Sequence, residues 1–200
     1  SISGAEFSPD GQYILTRNAD NSARLWDKNG DLVKILQGHS GLVTSAIFSP
    51  DSQFILTGSW DHTVRLWDKN GNPVKIFKAS VSIYGAIFSP DGQFILTRNA
   101  DNTAQLWDKN GDPVKTLQGH SGPISATVFS PDGQFILTCS TDHTARLWDK
   151  NGSPIKILEG HGAPVSGAVF SPDGQSIFTW SQSATIWFWD NKGNPIKRLE

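Results

Sequence analysis

Hydrophobic and polar positions along the chain fall into short runs of strand length, and no stretch sustains the 3.6-residue apolar spacing of a helix. Residues 43 to 49 are small and apolar and end at Pro50, which cannot donate to a strand ladder and suits a turn with Asp51. Residues 54 to 59 form a second apolar run, closed by Gly58, Ser59, Trp60 and Asp61, and residues 63 to 68 a third. Lys69-Asn70-Gly71 then supplies Asn-Gly, the dipeptide of tight hairpins with positive φ at both central residues, and residues 73 to 77 follow as a fourth strand. The same turn recurs at Asn29-Gly30, Asn110-Gly111 and Asn151-Gly152, with Lys192-Gly193 in the last copy.

This four-strand pattern is repeated. Phe-Ser-Pro-Asp-Gly begins at Phe7, recurs at Phe48 with Ser52 in place of glycine, and returns at Phe88, Phe129 and Phe170. A Trp-Asp pair keeps step at Trp26, Trp67, Trp107, Trp148 and Trp189, and both series advance by 41, 40, 41 and 41 residues. Internal repeats of this length decide the architecture before any local reading does.

Gly-His before the first strand, Asp in the turn between the second and third, and Trp-Asp closing the third occur together in the second and fourth copies. With these motifs the chain resembles the WD40 repeats along essentially its whole length. The resemblance implies an all-β fold, a β-propeller of five four-stranded antiparallel blades at approximately residues 1–37, 38–77, 78–118, 119–159 and 160–200. It also gives a structural meaning to polar clusters that otherwise look catalytic. In this family His39, Ser59, Asp61 and Trp67, and likewise His120, Ser140, Asp142 and Trp148, would form a hydrogen-bonded network inside each blade. The first copy starts too late to contain Gly-His, and the third has Lys78-Ala79 there. The fifth keeps His161, Ser181 and Trp189 but carries Ser183 in place of aspartate. His62 and His143 follow the turn aspartate, match Asn21, Asn102 and Ala184, and read as exposed turn positions.

Charge narrows the function. Lys and Arg total 17 against 19 Asp and Glu, so no basic field draws a phosphate backbone, and nucleic acid is not an expected partner. No apolar run is long enough to span a bilayer, and the single cysteine, Cys139, permits no internal disulfide. A reducing, cytoplasmic setting is therefore expected, without a membrane. Five histidines spread over separate copies offer no zinc-like spacing, and neither metal nor cofactor is expected. The first strands carry mainly small and hydroxyl residues, with Glu6 the lone acid, so the two convergent carboxylates of a propeller glycosidase are not in sight.

The expected function is a non-catalytic scaffold for other proteins or peptides. Candidate contact positions are those that vary while the framework repeats: Trp60, Thr141 and Gln182 before the turn aspartate position, and Thr44, Tyr84, Ser125 and Ser166 early in the first strand. Trp60 and Tyr84 are the aromatic members and lie in adjacent copies, as interface anchors often do. Alternatively, Trp60 covers a hairpin end and Tyr84 fills a gap in the shorter third copy. A lectin-like propeller is a second reading, although the repeating tryptophans belong to the framework. Complete four-strand copies leave no strand to exchange, and small residues such as Gly4, Gly85 and Gly167 would let strands crowd an axis. A closed monomer is thus expected, with an excised arc that oligomerises as the alternative.

Overall fold

A computed structural model of the chain describes residues 1–199, and every element among them is a strand. The first sheet holds β1 (Ile2–Phe7), β2 (Tyr13–Asn18), β3 (Ala23–Asp27) and β4 (Leu32–Leu36), and the second β5 (Val43–Phe48), β6 (Phe54–Ser59), β7 (Thr63–Asp68) and β8 (Pro73–Lys78). The third holds β9 (Ile83–Phe88), β10 (Phe94–Asn99), β11 (Ala104–Asp108) and β12 (Pro113–Leu117). The fourth holds β13 (Ile124–Phe129), β14 (Phe135–Ser140), β15 (Ala145–Asp149) and β16 (Pro154–Leu158), and the fifth β17 (Val165–Phe170), β18 (Ser176–Ser181), β19 (Ile186–Asp190) and β20 (Pro195–Leu199). Strands follow chain order in all five sheets, the meander of propeller blades. Among the described residues no helix is long and apolar enough to cross a membrane.

These residues form two compact units, residues 1–100 with 108–112 and residues 101–107 with 113–200. In the first, Leu15, Leu25, Leu36, Val43, Ile55 and Trp67 build a buried cluster. In the second, Leu137, Leu147, Leu158, Val165, Ile177 and Trp189 do the same. Each fully buried Leu or Ile contributes roughly 1.5 to 3 kcal/mol. The fourth strand of each sheet is different. Val74, at 53% exposure, and Ile155, at 45%, face solvent. Proline begins β8, β12, β16 and β20, and a lysine sits within each, devices that blunt a sheet edge against further pairing.

The turn chemistry explains the motifs. In the first sheet the Ser8 hydroxyl donates to Asp10 (2.6 Å) and accepts the Tyr13 N–H (2.9 Å), while the Gly11 N–H donates to the Ser8 carbonyl (2.8 Å). Gly11 has φ 68°, and Ser52 holds the same left-handed conformation at φ 59° in the second sheet. A non-glycine residue is disfavoured there, but the Ser52 hydroxyl accepts the Asp10 N–H at 3.2 Å and so joins two neighbouring sheets. The turn between the third and fourth strands departs from expectation, because only its glycine has positive φ: Gly30 is at 86°, and Asn29 is not left-handed. The Gly30 N–H donates to the Asp27 carbonyl and the Asp27 N–H to the Asp31 carbonyl, which makes a three-residue loop with a glycine bulge. The Asp27 carboxylate accepts the Asn29 and Asp31 N–H groups, both at 2.9 Å, so the aspartate of each Trp-Asp pair caps a turn.

One rung of the ladder between the first and second strands pairs small with large. Gly4 faces Arg17, Gly85 faces Arg98 and Gly167 faces Trp180, whereas Ser45 faces Gly58 and Ala126 faces Cys139. A Cβ on Gly4 would stand 2.1 Å from the Arg17 guanidinium. The small residues of β1, β9 and β17 thus make room for a side chain of their own sheet. Cys139 is fully buried, and that burial pushes its thiol up to about 12, so the thiolate that oxidants attack does not form near neutrality.

Candidate functional site

The polar clusters resolve into a relay with an unanticipated middle member. Thr57 accepts the Trp67 indole N–H at 3.0 Å and lies 2.8 Å from His39 Nε2, while His39 Nδ1 is 2.9 Å from Asp61. Asp61 also accepts the Ser40 N–H (3.0 Å) and the Thr63 hydroxyl (2.6 Å). The fourth sheet repeats this with Trp148, Thr138, His120 and Asp142. Ser59 stands beside the relay: its hydroxyl donates to the Gly41 carbonyl (2.9 Å) and accepts the Asp61 N–H (3.1 Å), as Ser140 does with Gly122 and Asp142. The carboxylate fixes the tautomer, since an anion at Nδ1 places the ring proton there and leaves Nε2 to accept from threonine. Burial would raise Asp61, but hydrogen bonds from Thr63, His39 and the Ser40 N–H outweigh it and hold the carboxyl at about 2. Burial disfavours the charged ring and lowers His39 and His120, despite the aspartates beside them.

The first and third sheets bond the threonine differently. Thr16 still accepts the Trp26 N–H (2.9 Å), and Asn18, buried at 5% exposure, donates to the Thr16 carbonyl. In the third sheet the Thr97 hydroxyl donates to Asn99 at 3.0 Å. In the fifth, Trp187 takes the place of Arg65 and Arg146: its indole donates to the Gly160 carbonyl (3.2 Å), as those guanidiniums do to Gly38 and Gly119. The residues after the turn aspartate are not freely variable. Asn21, His62, Asn102, His143 and Ala184 all have left-handed φ, between 61° and 71°.

Among the variable surface positions the structure brings three together. Trp60 and Tyr84, exposed at 50% and 40%, line one open depression of about 460 Å³ with Thr44, Leu42, Ser3 and Arg17, all in the first unit. The Trp60 N–H donates to the Leu42 carbonyl (3.0 Å) and the Ser82 hydroxyl to the Trp60 carbonyl (3.0 Å), so the backbone beneath the indole is tied on both sides. Arg17 reaches the Thr44 carbonyl and also lines the depression. The Thr44 hydroxyl is turned inward, donating to the Ile83 carbonyl (2.9 Å) or the Gly58 carbonyl (3.1 Å). Ser125 makes the matching tie in the second unit, to the Val165 carbonyl at 2.5 Å. Thr141, Ser166 and Gln182 are exposed, belong to that second unit and line no part of this depression. Arg17 and Leu42 were not among the sequence candidates. Arg17 is the charged residue of β2, whose other members are buried or half-buried.

Among the described residues no three His, Cys, Asp or Glu side chains are grouped to hold a metal ion. No curated protein matches the chain. The model of one family, described as the IFT122 first beta-propeller, matches residues 1–200. With five sheets in meander order and a family match along the whole length, the chain is a β-propeller of WD40 type and belongs to the IFT122 first beta-propeller family.

Proposed function

We propose that this chain is a non-catalytic scaffold that docks a protein or peptide segment in the depression between Trp60 and Tyr84. One observation carries the reading: two exposed aromatics from adjacent repeats line a single depression with an arginine, while the tryptophans of the repeat motif are engaged in the relay. Aromatic anchors beside an arginine are the usual energetic centre of a protein interface. Thr44 contributes to the wall through its methyl group, its hydroxyl being engaged. Thr141, Ser166 and Gln182 belong to the second unit and line no part of that depression, and Ser125 belongs to the framework. The family match supports a scaffold role, and the relay histidines and aspartates act in folding rather than in chemistry. A cytoplasmic setting suits a chain whose one thiol is buried.

Affinity capture from a native extract tests this reading. Trp60→Ala and Tyr84→Ala should each lose the main partner that the wild type retains, with thermal stability close to wild type. Retention of that partner by both variants rejects the assignment.

A further inference from the structure

The fifth sheet differs from the second and fourth at one point of the relay. There Trp189 donates to Thr179 (2.9 Å), and Thr179 lies 2.7 Å from His161 Nε2, as in the other two. The aspartate that completes the relay is replaced by Ser183. The Ser183 hydroxyl bonds Ser181 (2.9 Å) and Thr185 (3.2 Å) and does not reach the ring. His161 is 2% exposed, and its Nδ1 has no hydrogen-bond partner. Burial and Arg198 lower His161, and the Thr185 backbone, which favours the protonated ring, offsets them only in part. The third sheet has no histidine at that place and its Thr97 hydroxyl donates to Asn99 instead, whereas the fifth keeps the histidine without its carboxylate.

The unfilled position has a defined chemistry. If Thr179 donates to Nε2, Nδ1 carries the proton and points a buried donor at no acceptor; if Nε2 donates instead, the threonine hydroxyl loses its acceptor. Either arrangement leaves a group unsatisfied, and an acceptor at Nδ1 relieves both. In the second and fourth sheets that acceptor is a carboxylate, 2.9 and 2.8 Å from the ring. Arg198 adds positive potential at His161. Gly162, which follows His161, and Ser183 and Ala184 are exposed, and a Cβ built on Gly162 would meet nothing within 4 Å. We infer that the fifth sheet carries a carboxylate-binding site, in which an acidic group from outside the chain's own relay bonds His161 Nδ1 after a small displacement of Ser183. This site lies in the second unit and does not depend on docking at Trp60 and Tyr84.

The test is a titration of the whole chain with sodium formate and, separately, with an aspartate blocked at both termini, each against sodium chloride at equal ionic strength. Long-range nitrogen–proton spectra of the histidine rings and thermal unfolding are the readouts. Saturable movement of His161 Nδ1 with a rise in Tm is expected, while His39, whose position Asp61 fills, stays still. Movement with both ligands identifies a partner's acidic side chain as able to enter, and movement with formate alone restricts the site to a small anion. Ser183→Asp should raise Tm by itself and abolish the response. A His161 ring unmoved by either ligand, or a Ser183→Asp variant that responds like the wild type, overturns the inference.

Discussion

Gly167 and Trp180 face each other across one rung of the fifth sheet, and a methyl group on Gly167 would stand 2.3 Å from the indole. The same rung pairs Ser45 with Gly58, so volume is shared between the two strands and not fixed on either. Gly167→Ala should therefore destabilise the protein by about 1 to 3 kcal/mol, the usual cost of overpacking. Adding Trp180→Ala should return most of that loss, a coupling read by chemical denaturation of the two single variants and the double variant. Additive effects would show that the glycine serves something other than its partner.

Thr57 bonds both His39 and Trp67, whereas Ser59 ties only backbone groups. Thr57→Val keeps the shape, leaves two buried groups without their partner and should cost about 2 to 6 kcal/mol, from an expectation of about 1 to 3 kcal/mol for each such group. Ser59→Ala should cost less. Equilibrium unfolding of the two variants checks the order, and a larger loss for Ser59→Ala would contradict it.

Much of the fold was legible in the chain because its signals are periodic. Pro50 and Asp51 end one run, Trp67-Asp68 ends another, and their recurrence at fixed spacing defines strands and sheets. The relay was half legible. Threonine recurs at Thr16, Thr57, Thr97, Thr138 and Thr179, a signal as regular as the tryptophan, but a threonine in a β-rich run reads as ordinary strand composition. The engagement of Thr44 and Ser125 was not legible. Their acceptors, Ile83 and Val165, are backbone carbonyls about forty residues away on another sheet, and no residue type marks them. Asn-Gly suggested a two-residue hairpin, but the capping carboxylate of Asp27 stabilises the longer loop instead.

Acid should destabilise the fold in two stages. Burial lowers His39, His120 and His161, so the unfolded chain takes up protons first, and the stability these rings contribute is lost as pH falls below about 6.5, the ordinary histidine value. Asp61, held at about 2, and Asp142, also lowered, contribute stability that is present above the ordinary aspartate value of about 3.9 and is lost as pH falls toward 2. Glu6, raised chiefly by burial, works in the opposite sense, its contribution fading as pH rises. Denaturant midpoints measured across this range should fall steadily from neutrality, and Asp61→Asn should flatten the lower stage. A midpoint that rises between pH 7 and 5 would contradict the buried, neutral histidines.

Whether partners dock in the depression that Trp60 and Tyr84 share is decided by site-specific photocrosslinking. A photoreactive phenylalanine analogue is placed at position 60, at position 84 and, as a comparison, at exposed Thr141 in the second unit, and each protein is irradiated in native extract. One and the same partner should crosslink from positions 60 and 84, and none of it from 141. Crosslinking of that partner from 141 alone, with positions 60 and 84 silent, would contradict it.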